Sequence, residues 1–122
     1  MKKEIPERAS IADADAASIA TFLEAAWAED GLAERTLAAY RSDLEGFATW
    51  LAGRARALAT ATREDIAAWH GAHPVAVRTM ARRQSALRRY YAWRVRETPG
   101  AADPTLLVER ARLPRSLPKA LA

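Results

Sequence analysis

The chain has 122 residues, enough for one domain with a sizeable core and too few for two. No apolar run approaches the ~18 residues of a membrane span, and the absence of cysteine excludes disulfides, thiolate metal sites and a cysteine nucleophile. The net charge of +4 conceals a gradient: residues 1–34 hold 3 basic and 8 acidic side chains (−5), residues 35–77 hold 5 and 4 (+1), and residues 78–122 hold 11 and 3 (+8).

Positive charge gathered in the last third is the footprint of a face that meets a polyanion, opposite a face that avoids one. Alternating β-branched runs are absent, so the pattern predicts an all-α fold. Nothing resembles a signal peptide, and a cytoplasmic protein is expected.

In chain order, residues 1–13 read as a flexible polar terminus. Ser10 with Asp13 fits a capping box, with Asp13 or Asp15 as alternative caps. The first helix then runs to about Asp30, with a core stripe of Ile19, Phe22, Leu23, Ala26 and Trp27. Gly31 is its C-cap. Asp15, Glu24, Glu29 and Asp30 are assigned to its outer face, which disfavours phosphate contact by this helix.

The second helix is predicted to start near Thr36 as N-cap and to bury Leu37, Tyr40, Leu44, Phe47, Ala48 and Leu51 before Gly53. Arg35, the Thr36 hydroxyl, free backbone N–H groups and Arg41 could together meet a phosphate at its first turn. An ordinary cap explains Thr36 equally well, and the two roles are compatible. A third helix follows, with Thr62 and Asp65 as a capping box, Ile66 and Trp69 buried, Leu58 packing from the loop and Gly71 at its end. His70 and His73 lack a third ligand nearby and flank a helix end, so they read as cap or loop residues and no metal or other cofactor is expected.

Pro74 suits the first turn of a long fourth helix reaching Glu97. Arg78, Arg82, Arg89 and Arg96 project within about 40° of one another, with Ser85 beside them. Val77, Met80, Leu87, Tyr91 and Val95 form an opposing apolar stripe. A row of guanidinium forks fits phosphates, because each fork pairs with two oxygens at once. The competing reading is a solvated charged face. Beyond Pro99, Gly100 and Pro104 a short turn over Thr105 to Arg110 is expected, followed by an extended basic strap, residues 111–122, with Pro114 and Pro118. The strap reads as a linker toward a further domain.

Three stretches carry a family resemblance: Ile19–Leu51, ARRQSALRRYYAW at Ala81–Trp93, and ARLPRSLPKAL at Ala111–Leu121. Together and in order they resemble the N-terminal, SAM-like core-binding domain of tyrosine recombinases and phage integrases, nearest to the Xer recombinases. The resemblance implies four or five helices in two crossed hairpins over residues 14–110, forming half of a clamp around double-stranded DNA. It carries DNA contact onto Thr36 and Arg41 of the second helix, onto Arg82, Ser85, Arg88 and Arg89 of the fourth, and less firmly onto Arg78. Arg88 projects away from the stripe and fits the edge of the core equally well. The tail resembles the interdomain connector, with Lys119 near the start of the catalytic domain.

The resemblance implies that the catalytic Tyr, Arg and His residues lie in that other domain, so this chain alone is not expected to be an enzyme. The hallmark His-x-x-Arg is missing, since His73 and Ala76 follow His70 and His73 at that spacing. The implied partners are DNA, the catalytic domain and neighbouring recombinase subunits, with the isolated domain a monomer. The acidic first helix is the surface left for those neighbours. Gln84 and Arg94 depart from the apolar residues the family prefers, so that end of the fourth helix is expected to be more exposed, or the Arg94 stem packs while its head reaches water. Two other readings fit the residues: a helix-turn-helix regulator using the third and fourth helices, and an α-helical module for an acidic protein.

Overall fold

The computed structural model describes residues 11–106. It holds α1 (Asp13–Asp30), α2 (Glu34–Ala52), a single 3-10 turn (Leu58–Thr60), α3 (Arg63–Ala72) and α4 (Val77–Glu97), with no strand among the described residues. Thr105 and Leu106 are helical. The expected continuation to Arg110, the strap with Lys119, and Ser10 lie outside the described residues.

α2 is the centre of the fold and packs against each of the other three helices, while α1 also meets α4. Leu44, Phe47, Ala48 and Leu51 recur at helical spacing along α2 and are fully buried. They meet Ile19, Phe22, Leu23 and Ala26 of α1, Ile66 and Trp69 of α3, and Ala86, Leu87, Tyr90 and Tyr91 of α4 in one core. Phe22 meets Tyr90 edge to face with centroids 5.6 Å apart, and Phe47 meets Trp69 at 5.0 Å.

Local signals place several boundaries where the sequence puts them. Gly31 closes α1 in the left-handed conformation, φ +64°, and its N–H bonds to the Trp27 carbonyl. Thr62 opens α3 with a complete capping box: its hydroxyl accepts the Asp65 N–H at 3.1 Å, and the Asp65 carboxylate accepts the Thr62 N–H at 2.9 Å. Arg56 Nε also donates to that carboxylate at 2.8 Å. Burial opposes ionisation of Asp65, but the Thr62 N–H and the Arg56 charge prevail and lower its pKa.

Other boundaries and faces differ. α1 starts after Ala12 with no side-chain cap. Asp15 is neither a cap nor on the outer face: it is buried and accepts the Leu58 N–H. Trp27 is 64% exposed, because it lies about 80° around the helix from Ile19 while Ala26 takes the core position. α2 begins one turn early, with Ala33 as N-cap, so Thr36 sits inside the first turn. α3 passes Gly71 and ends at Ala72, and α4 starts at Val77, leaving Pro74 in the connection.

The buried face of α4 is also rotated from the expected stripe. Val77 is 86% exposed and Val95 is exposed, while Ala86 and Tyr90 are buried. Arg83 and Arg94 occupy the ends of this face, which disguises it in the sequence. Arg83 is half-buried with its guanidinium 4.5 Å from the Trp69 ring centroid, a cation–π contact. Gln84 and Arg94 are half-buried, whereas Val95 and Arg96 beyond them are exposed.

Candidate nucleic-acid interface

The first turn of α2 points four backbone N–H groups away from the helix, those of Ala33, Glu34, Arg35 and Thr36. The first intrahelical donor is the Leu37 N–H, bonded to the Ala33 carbonyl at 3.0 Å. Thr36 therefore offers its N–H and hydroxyl as the sequence suggested, from the third helical position instead of the cap.

Because α2 and α4 pack together, this turn faces the first half of α4 across an open groove of about 380 Å³. Arg35, Thr36, Ala39, Tyr40, Ala81, Arg82 and Ser85 line it. Four of the nine expected site residues, Arg35, Thr36, Arg82 and Ser85, thus converge from two elements. Arg35 is exposed and makes no ion pair with another described residue.

Arg82 is held in place from below. Its Nε and Nη2 donate to the two carboxylate oxygens of Asp43 at 2.8 and 2.7 Å. Hydrogen bonding to Asp43, opposed by partial burial, raises the Arg82 pKa above its already high ordinary value. The fork–fork geometry is the strong form of this pair. Asp43 is not among the residues expected at the site from the sequence. The signal was present: it lies three residues after Tyr40 and four before Phe47, an acid at core spacing on a helix that faces an arginine-rich one.

The remaining expected residues are dispersed. Arg41 does not line the groove and pairs with Glu45 at 3.4 Å on an exposed face. Arg78 is exposed, one turn before Arg82, with no ion pair to another described residue. Arg88 is exposed and donates to Ser85 Oγ at 3.3 Å. Arg89 reaches Asp30 at 3.1 Å and Arg96 reaches Glu29 at 3.6 Å, across the seam between α1 and α4. Both pairs are exposed, so each contributes only about 0–1 kcal/mol. The arginine row of α4 is therefore divided between its own protein's acids and the solvent.

The tyrosines and histidines have structural surroundings. Tyr91 donates to the Leu58 carbonyl at 2.7 Å, and Tyr90 Oη lies 2.7 Å from Ser18 Oγ. Burial raises the pKa of both phenols, which opposes the phenolate a nucleophile needs. Burial, aided by the Arg83 charge, lowers the His70 pKa. Neither His70 ring nitrogen has a hydrogen-bond partner among the described residues. No group of three or more metal-ligating side chains occurs among them, and no helix among them is long and apolar enough to cross a membrane.

With this geometry, the comparisons with known proteins are specific. The family profile described as phage integrase, N-terminal SAM-like domain, matches residues 19–98. A protein named tyrosine recombinase XerD from Ralstonia nicotianae is 38% identical over 124 aligned residues, covering 100% of this chain and 40% of the relative. A protein of the same name from Xanthomonas campestris is 44% identical, covering 88% of this chain and 34% of the relative. Another from Pseudomonas aeruginosa is 41% identical, covering 83% and 35%. The chain thus spans two fifths or less of the length of these relatives.

Proposed function

The chain belongs to the family of phage integrase N-terminal SAM-like domains, and from that premise we propose that it is the double-stranded-DNA-binding module of a site-specific tyrosine recombinase. The observation that carries this reading is the convergence of Arg35, Thr36, Arg82 and Ser85 on one groove. Guanidinium groups, hydroxyls and helix N-terminal N–H groups without intrahelical acceptors gather there, and no carboxylate among the described residues lines the groove, which suits phosphate oxygens and base edges. Arg78 extends the same face along α4. Arg41, Arg88 and Arg89 form its periphery, where each must give up or share an intramolecular contact to reach DNA.

In this reading the domain is half of a clamp, and the chemistry of strand cleavage belongs to the part of the recombinase outside the family match. Its partners are the recombination-site duplex, that catalytic part and neighbouring subunits. The acidic residues of α1 turn this helix away from phosphates. Lys119 belongs to the connector in this scheme.

Titration of a short duplex over a salt series tests the reading. Arg35 and Arg78 are the informative pair, since neither is committed to an acid among the described residues. Wild-type affinity should fall steeply with salt, and Arg35→Ala with Arg78→Ala should lower the log–log slope by about two units. An absence of duplex binding at low salt, combined with capture of an acidic protein, would favour the interaction-module reading instead.

A further inference from the structure

Arg82 is presented to the groove in a way that Arg35 is not. A guanidinium carries five N–H bonds in one plane. The Asp43 carboxylate engages the edge formed by Nε and Nη2. Two parallel N–H bonds remain on the outer edge, one on Nη1 and one on Nη2, and no described residue accepts them. The Arg82 side chain is 41% exposed and lines the groove, whereas the Asp43 side chain is 5% exposed beneath it.

Two physical consequences follow from this stacking of acid under base. The Asp43 charge answers that of Arg82 at contact distance, so the pair as a unit does little to neutralise a phosphate. The plane of the guanidinium is fixed before any ligand arrives, so a second two-point contact costs little ordering. A fixed, locally neutralised fork with two parallel donors is matched by two neighbouring acceptors. In the major groove that pattern is O6 and N7 of guanine; adenine sets a donor beside N7, cytosine offers a donor, and thymine pairs its acceptor with a methyl group.

We propose that Asp43 is a positioning residue that presents Arg82 to a guanine edge in the major groove, so that this pair supplies base preference while Arg35 supplies phosphate binding. The proposal rests on the DNA-binding reading above. It assigns a role to a buried carboxylate that would otherwise be unfavourable so close to DNA.

The test selects duplexes from a randomised pool with the whole 122-residue chain, as wild type, Asp43→Asn, Arg82→Lys and Arg35→Ala. The wild type should enrich guanine at one fixed position. Replacing that base by the deaza analogue lacking N7 should weaken wild-type binding about tenfold. Asp43→Asn should lose the enrichment and ignore the analogue; Arg82→Lys, whose ammonium reaches O6 and N7 without a fixed fork, should weaken both effects. Arg35→Ala should keep the enrichment and lose about one unit of salt slope.

Guanine enrichment that survives in Asp43→Asn overturns the proposal. So does a wild type that binds with a steep salt slope but selects no guanine; in that case the DNA-binding reading stands alone. A wild type that binds no duplex at low salt removes both. If circular dichroism shows Asp43→Asn unfolded, Asp43→Glu decides: it keeps the charge but displaces the fork, so unchanged guanine enrichment in that variant overturns the proposal.

Discussion

The carboxylate of Asp15 accepts the backbone N–H of Leu58, with oxygens at 3.2 and 3.4 Å, across 43 residues of sequence. Tyr91 donates to the carbonyl of the same Leu58. The 3-10 turn is thereby gripped from both sides, its N–H by α1 and its C=O by α4, while the Leu58 side chain enters the core. Removing the acceptor would leave a buried amide without a partner. Asp15→Ala should therefore destabilise the chain by about 1–3 kcal/mol. Urea denaturation with an unchanged m-value would register this as a shift in midpoint.

The two tryptophans Trp27 and Trp69 make opposite predictions. Trp69 is buried against Phe47, with the Arg83 guanidinium over its ring. Trp69→Ala should cost about 3–5 kcal/mol. Trp27 projects into solvent, and Trp27→Ser should change stability by no more than about 0.5 kcal/mol. Thermal denaturation of the two variants, side by side, checks both.

The capping box of α3 gives a smaller, local effect. Thr62→Ala deletes one acceptor for the Asp65 N–H and should cost about 0.5–2 kcal/mol, whereas Thr62→Ser should retain most of it. Loss of the cap should also loosen Asp65, which holds Arg56. Hydrogen exchange should then rise first at the amides of Asp65 and Ile66.

His70 sets a pH dependence of definite sign. Burial, then the nearby Arg83 charge, lowers its folded pKa below the ordinary 6.5. Between those two values the unfolded chain binds a proton that the folded chain refuses. Its contribution is therefore complete above about pH 6.5 and is lost as pH falls toward the folded pKa. Denaturation at pH 7.5 and at pH 5.5 should show a drop in the wild type that is smaller in His70→Gln. An identical drop in both would assign the effect to other groups.

How far the sequence predicts this molecule depends on the range of the interaction involved. Gly31 and the Thr62–Asp65 box are settled by neighbours within four residues, and they are legible. The α2 stripe is legible for the same reason, since one face repeats through Leu44, Phe47 and Leu51. Asp15 and Asp43 are not, because an acid's side of a helix is fixed by which distant donor it meets: Leu58 for one, Arg82 for the other. The α4 face is hard to place from sequence because arginines stand at both of its ends, and Arg83 turns inward to the Trp69 ring and the His73 carbonyl, both outside its own helix. Within the candidate groove, the sequence identified the donors on α2 and α4 but not the carboxylate that orients one of them. It also did not reveal that Arg89 and Arg96 are shared with acids of α1.

α2 carries one further consequence along its own length. Its first turn holds amides with no intrahelical acceptor, while the stretch from Phe47 to Leu51 lies in the centre of the core. Amide hydrogens at the Ala33 end should exchange with solvent deuterium fast, and those near Leu51 only on global unfolding. A single helix thus runs from labile to strongly protected backbone. Any anion that occupies the first turn would be read out as slowed exchange at one end, with no change at the other.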